Sequence, residues 1–192
     1  MEDPTLFALT VLLVLGTPGP TNTLLATGGA SAGVRRSLPL MLGEAAGYSL
    51  SILTIGLLLA PIIAGAPWAA TALRLAVAAY LVLLAVRLWR QGAGFVAGTR
   101  AVTPAQVFLT TLLNPKAIVF ALGVVPFASP RWPAYFAGFL LLLAAVALLW
   151  IALGAALGRA AAATGRARFV PRVGAAAVLG FAAILVAGPL LR

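Results

Sequence analysis

The sequence has 192 residues, of which 63% are hydrophobic and only 8% are charged, and its mean hydropathy is +1.13. A soluble domain carries about 25% charged residues because its surface must be hydrated. A soluble bundle is therefore a poor alternative, since its helices would be apolar all round with nothing to meet water. The chain has no cysteine and no histidine, which excludes disulfides, thiol redox chemistry and the usual zinc site. We expect no cofactor and no metal.

The net charge is +10, from 13 Lys and Arg against 3 Asp and Glu. The arginines lie between apolar segments, and no basic patch is interleaved with aromatic residues as a nucleic-acid surface requires. We therefore expect no nucleic-acid partner. The charge is interpreted instead as a signal of membrane topology.

Uncharged segments predict six membrane-spanning helices, because a bilayer core about 30 Å thick needs ~20 apolar residues per helix. The predicted spans are 4–34, a second and a third within 37–88 that part near Pro61, Gly65 and Pro67, then 101–130, 132–158 and 173–191. A polar, glycine-rich connection at 91–104 divides one membrane domain, 1–192, into halves of about 1–95 and 101–192. The predicted fold is an all-α membrane protein.

The arginines predict the orientation. Nine follow the odd-numbered spans: Arg35, Arg36, Arg87, Arg90, Arg100, Arg159, Arg166, Arg168 and Arg172. The opposite side has Arg131 and Arg192, together with the acidic Glu2 and Asp3. Because short loops rich in Lys and Arg stay in the cytoplasm, we expect a multi-pass protein of the cytoplasmic (inner) membrane with both termini outside.

Small residues recur at a spacing of four, in the pairs Gly29 with Gly33, Gly43 with Gly47, and Gly154 with Gly158. Such spacing lets helix backbones approach closely in lipid. The pairs predict helix packing and carry no functional inference.

Two spans contain proline motifs that break a helix. Span one contains Thr17-Pro18-Gly19-Pro20 near its middle, and span four contains Asn114-Pro115-Lys116 at a comparable place. Freed backbone groups at membrane depth are tolerated only where they are buried in protein or face water, so a break predicts a lined cavity. For either motif alone, the alternative is a plain proline kink.

The two breaks follow similar segments. Residues 4–13 and 104–113 share Pro, Leu, Thr, Leu and Leu at an offset of 100. Two halves of three helices each would enter the membrane from opposite sides and form an inverted repeat. Transporters built in this way bind substrate near the midplane, between corresponding broken helices.

Glu44 and Lys116 are the ionisable residues predicted to lie well within the hydrocarbon, one in each half. Such charges cost at least ~2.5 kcal/mol each and usually mark a pathway or a proton relay. One alternative is a mutual salt bridge that only fixes the second span against the fourth. Another is that Glu44, eight residues after Arg36, reaches the headgroups.

Three segments carry a resemblance to a known family. They are TPGPTNTLL (17–25), LRLAVAAYLVLLAVRLWR (73–90) and LLNPKAIVF (112–120), followed by Pro126. In these segments the chain resembles the lysine exporter family, also called the LysE or RhtB family of amino-acid efflux proteins. The resemblance covers the whole chain and implies a proton-driven exporter of amino acids or related metabolites. Arg74 stands where the family often has Lys, which implies a functional residue. The alternative is that its side chain only reaches the membrane surface from near the outer end of span three.

The candidate substrate-binding residues are Pro18, Gly19, Pro20, Thr21, Asn22, Glu44, Asn114, Pro115 and Lys116. The half-helix N-terminus near Thr21 and Asn22 suits a substrate carboxylate. Glu44 suits the substrate ammonium and is the predicted site of proton coupling. The expected partners are a small molecule and the lipid bilayer, with homo-oligomerisation left open.

Two other function classes are weaker. A membrane enzyme would have only Glu44 and Lys116 for its chemistry. A channel or a scaffold subunit would not move solute against a gradient, and an uphill transport assay separates it from a coupled transporter.

Overall fold

The computed structural model describes residues 3–59, Trp68 and 101–163, and every regular element in these segments is helical. In chain order the elements are α1 Pro4–Gly16, α2 Pro20–Ser37, α3 Pro39–Leu53 with a π-helical extension Thr54–Leu59, α4 Pro104–Leu112, α5 Pro115–Val119 with a π-helical extension Phe120–Val124, and α6 Trp132–Ala163. Predicted spans three and six, with Arg74, lie outside the described residues.

The described helices suit a membrane by length and composition. Pro39–Leu58 and Trp132–Ala160 are each long and apolar enough to cross one, and two bent pairs qualify when each pair is taken as one span. The described part thus holds between two and four spans. Leu13, Leu42 and Leu141 are 72%, 74% and 75% exposed, so large apolar side chains cover the outer surface. An all-α membrane protein is therefore confirmed for the described residues.

Two boundaries differ from the predicted ones by more than three residues. The helical part of span four ends at Val124, not at 130. Val125 is extended because it precedes Pro126, and the residue before a proline is disfavoured in the helical region. Span five continues to Ala163, beyond the predicted end at 158, since Arg159 points from an exposed position and does not interrupt the helix.

α1 and α4 begin in the same way, at the two prolines that the offset of 100 aligns. Before Pro4, Asp3 Oδ1 accepts from the Leu6 N–H at 2.9 Å. Before Pro104, Thr103 Oγ1 accepts from the Gln106 N–H at 3.2 Å. Proline at the first helical position lacks only an N–H that has no partner there anyway. The starts of the two halves therefore correspond, while the six-helix inverted repeat as a whole stays a prediction.

α2 packs against α6 at backbone distance, as the glycine spacing predicts. A side chain at Gly154 would collide with the carbonyl oxygen of Ala26, and a side chain at Gly29 would collide with that of Ile151. In the same way, a side chain at Gly158 would collide with the backbone of Ala30. The contacts advance by four residues on both helices, so the two helices run parallel. Gly33 differs from the prediction, because a Cβ there would have no described atom within 4 Å, and the residue kinks α2 with a φ of 78°.

α3 packs against α4 in the same manner. Gly43 lies against the Pro104 carbonyl, and a Cβ at Gly47 would lie 2.7 Å from the Phe108 carbonyl oxygen. These helices are also parallel. Within the described residues, α2 of predicted span one thus packs against span five, and α4 of span four packs against span two.

An aromatic cluster joins α3, the π-helical extension of α5, and α6. The ring of Tyr48 makes edge contacts with Phe120 and Phe139 at centroid distances of 5.9 and 5.8 Å, and Phe120 and Phe139 lie 4.8 Å apart. All three side chains are at most 1% exposed. This cluster fixes the short α5 segment, which has too few residues to be stable alone.

The close contact of α2 with α6 predicts a stability difference between two identical substitutions. Gly154→Ala should destabilise the protein by about 1–3 kcal/mol, because the new methyl group forces the two backbones apart. Gly123→Ala is the control, since a Cβ at that position would have no neighbour within 4 Å among the described residues. Melting curves of both variants in detergent check this, and equal melting temperatures would refute the packing.

Candidate functional site

The first helix break lies between α1 and α2, and their axes differ by 65°. α1 ends at Gly16, and Thr17 and Gly19 are both extended, each immediately before a proline. Pro18 is exposed, whereas Gly19 and Pro20 are buried. Pro20 does not interrupt α2 but starts it.

The second break lies between α4 and α5, with a bend of 50°. Asn114 is extended, as the residue before Pro115, and its Oδ1 accepts from the Lys116 N–H at 3.0 Å. Asn114 is therefore the N-cap of α5, and Pro115 is its first residue. Both predicted proline motifs thus produce real breaks with restarted helices, not plain kinks.

The C-terminal end of α1 leaves carbonyl groups without partners in the helix, and each needs another donor. The Thr17 hydroxyl donates to Val14 O at 2.7 Å. The side-chain amide of Asn22 donates to Leu15 O at 2.7 Å and to Thr17 O at 2.9 Å. Asn22 therefore satisfies the end of α1 from the first turn of α2, and is 4% exposed.

Lys116 completes this set from the other half of the chain. Its ammonium donates to Thr17 O at 2.6 Å and approaches Leu15 O at 3.5 Å. The side chain is 2% exposed. A Cβ at Gly19 would lie 3.3 Å from Lys116 Cε, so the glycine leaves the room that the lysine uses. A cation at the negative end of a helix dipole is electrostatically favourable.

Three polar side chains connect the two breaks directly. Asn114 Nδ2 donates to Thr21 Oγ1 at 2.9 Å, and Thr21 Oγ1 lies 3.1 Å from Thr111 Oγ1. Thr21, Asn114 and Thr111 are at most 2% exposed. We call these three residues the Thr21 cluster. It holds the first turn of α2 against the second break.

Glu44 lies on the buried face of α3 and is 2% exposed, so protein and not headgroups surrounds it. Its Oε2 has no hydrogen-bond partner among the described residues. Glu44 interacts electrostatically with Lys116 and with Tyr48. The hydrogen bonds of the Lys116 ammonium described above go to α1 carbonyls, which a purely mutual salt bridge does not explain.

A cavity of about 360 Å³ lies between α3 and the second break. Its lining is mostly aliphatic, with polar groups from Ser51, Thr54 and Asn114. Of the candidate site residues, Asn114 alone lines this cavity. A pocket of this size and character, apolar with few polar groups, suits a small organic molecule.

The structure thus brings Thr21, Asn114 and Lys116 to the contact between the breaks, with Asn22 at the α1 end. Pro18 and Pro115 shape the backbone of the breaks. Thr111 and the carbonyl groups of Leu15 and Thr17 also belong to this contact and are not among the predicted site residues. Thr111 aligns with Val11 at the offset of 100, so the repeat gives no signal for it. Backbone carbonyl groups are present in every residue and therefore carry no sequence signal. Among the described residues, no three His, Cys, Asp or Glu side chains lie together as a metal-binding group.

Comparison with known proteins places the chain in a family. Residues 12–191 match the profile of the LysE type translocators. A protein of Vibrio cholerae serotype O1, described as an uncharacterized membrane protein, is 30% identical over 139 residues, or 67% of this chain and 68% of the relative. No solved structure matches significantly.

The Thr21 cluster predicts that removing one hydroxyl group destabilises the protein. Thr21→Val leaves the Asn114 amide buried without its acceptor, which should cost about 1–3 kcal/mol. Thr27→Val is the matched control, because the Thr27 hydroxyl donates to Thr23 O within its own helix and not to the second break. Denaturation of both variants in the same detergent measures the difference. A Thr21→Val variant as stable as the control would contradict the role of the cluster.

Proposed function

The chain belongs to the LysE type translocator family, and from this premise we propose that it is a secondary transporter exporting amino acids or related small metabolites. The proposal places it in the cytoplasmic membrane with both termini outside and couples export to protons. The single observation that carries the proposal is the contact of two helix breaks through the Thr21 cluster and Lys116.

Paired breaks support transport because broken helices carry free backbone ends into the membrane. Such ends persist only where protein or water satisfies them. In transporters with discontinuous helices, half-helix N-termini face anionic groups of the substrate, and unwound carbonyl groups bind cations. Here three residues separate the end of α1 from the start of α2, so both kinds of backbone end lie at one break.

The start of α2 and the Glu44 carboxylate together support an amino acid as the substrate. The backbone N–H groups of Thr21 and Asn22, in the first turn of α2, suit a carboxylate. Glu44 Oε2, without a partner among the described residues, suits an ammonium. The cavity of about 360 Å³ beside Asn114 offers space for a small, largely apolar side chain.

Glu44 also supports proton coupling. The chain has three acidic residues, and Glu44 is the one that lies beyond the N-terminal Glu2 and Asp3. An unpaired carboxylate is costly to bury, and taking up a proton removes its charge. We therefore assign to Glu44 both the coupled proton and recognition of the substrate ammonium.

Positive charge at one end of the packed helices supports the orientation. α2 and α6 run parallel, and the exposed Arg35, Arg36 and Arg159 lie near their C-terminal ends. Arginines gathered at one end of neighbouring helices are typical of the cytoplasmic side.

The proposal is tested by an export screen. Cells loaded with dipeptides are compared with and without the protein, and the amino acids that appear outside are identified. We expect selected amino acids to leave faster, and to leave against their gradient, when the protein is present. Efflux that never proceeds uphill would support the channel alternative and contradict coupled export.

In the same system, the substitution Glu44→Gln separates coupling from binding. The amide keeps the shape of the side chain and cannot titrate, so uphill export should stop while exchange of labelled substrate down its gradient continues. Initial rates in proteoliposomes, with and without a pH gradient, measure the two activities. Uphill export that persists in Glu44→Gln would remove this residue from the coupling mechanism.

A further inference from the structure

The C-terminal end of α1 has the features of a cation site. Two carbonyl oxygens, of Leu15 and Thr17, converge on one point from an interrupted helix. The helix dipole adds about half a negative charge at this end. Each carbonyl also accepts from the Asn22 amide, at 2.7 and 2.9 Å, which fixes its position and leaves a second lone pair for another ligand.

The group that occupies this point is part of the chain itself. The Lys116 ammonium lies 2.6 Å from Thr17 O, a distance typical of a charge-assisted hydrogen bond. It arrives from α5, 99 residues further along the chain, through the space left by Gly19. A lysine used only to neutralise Glu44 would not need carbonyl ligands from α1.

We propose that the end of α1 is a site for a small monovalent cation, and that Lys116 fills it permanently with a tethered ammonium. Discontinuous helices in transporters use such carbonyl ends to bind a free cation such as Na⁺. In this chain the tethered ammonium takes the place of that free cation. Uphill export should therefore proceed without Na⁺, and a protein without the lysine side chain should bind a small free cation in its place.

Two substitutions at position 116 separate the site from its occupant. Lys116→Ala removes three methylene groups and the ammonium, leaving a space that matches n-propylammonium. Lys116→Met removes the charge but keeps the volume, so the space stays filled. Both variants lose the same charge next to Glu44, and a difference between them therefore reports the vacated site.

The test measures melting temperatures of the purified full-length proteins in detergent, in n-propylammonium, sodium or N-methylglucamine chloride at equal ionic strength. For Lys116→Ala, n-propylammonium at about ten times its dissociation constant should raise the melting temperature by roughly 3 °C over N-methylglucamine. Sodium should act in the same direction. Wild type and Lys116→Met should not respond. Equal responses of the Ala and Met variants, or equal effects of all three salts, would overturn the proposal.

If purified Lys116→Ala is not folded, the amount of folded Lys116→Ala protein in cells grown with each salt is measured instead. Cells grown with n-propylammonium chloride should then contain folded Lys116→Ala protein, and cells grown with the N-methylglucamine salt should not. Failure of n-propylammonium to restore folded protein would overturn the proposal. This readout requires no transport.

The statement about Na⁺ rests on the proposed function, and it has its own measurement. Wild-type protein in proteoliposomes should export substrate uphill in sodium-free buffer, and a requirement for Na⁺ would contradict the tethered cation as its replacement. A wild-type protein that exports no amino acid refutes the proposed function. The melting experiment with n-propylammonium still decides the cation site in that case.

Discussion

Backbone polar groups released inside an apolar environment must find partners, and this constraint governs the described structure. α1 ends within a predicted membrane span, so its last carbonyl groups can neither continue the helix nor reach bulk water. Thr17, Asn22 and Lys116 supply the donors. At the second break, Asn114 caps α5 and donates to Thr21. Each break is therefore satisfied partly by the other.

Mutual satisfaction requires close approach, and glycine provides it. Gly29, Gly154 and Gly158 let α2 and α6 meet at their backbones, and Gly43 and Gly47 do the same for α3 and α4. These contacts carry Thr21 and Asn114 to hydrogen-bond distance and bring Glu44 close enough to interact with Lys116. The packing of helices and the polar contacts between breaks thus stabilise one another, and the same contacts form the site that we propose for transport.

The breaks could be predicted from the sequence because the restrictions that proline imposes are local. Pro18, Pro20 and Pro115 determine where helices end and restart without reference to the rest of the chain. The partners of the freed groups could not be predicted, because the contact of Lys116 with Thr17 depends on how distant helices pack. Glycine spacing predicted the close helix contacts but not their partners. It was wrong at Gly33, whose φ of 78° marks a kink in α2 and not a close approach to another described helix.

A disulfide tests the contact between the two breaks most directly, because the chain has no native cysteine. The Thr21 and Thr111 hydroxyl oxygens are 3.1 Å apart, so Thr21→Cys with Thr111→Cys should form an intramolecular disulfide under mild oxidation. Thr27→Cys with Thr111→Cys is the control, since Thr27 lies nearly two turns further along α2. After denaturation, thiol labelling counted by mass should find no free thiols in the first pair and two in the second. Two free thiols in both would contradict contact between the breaks.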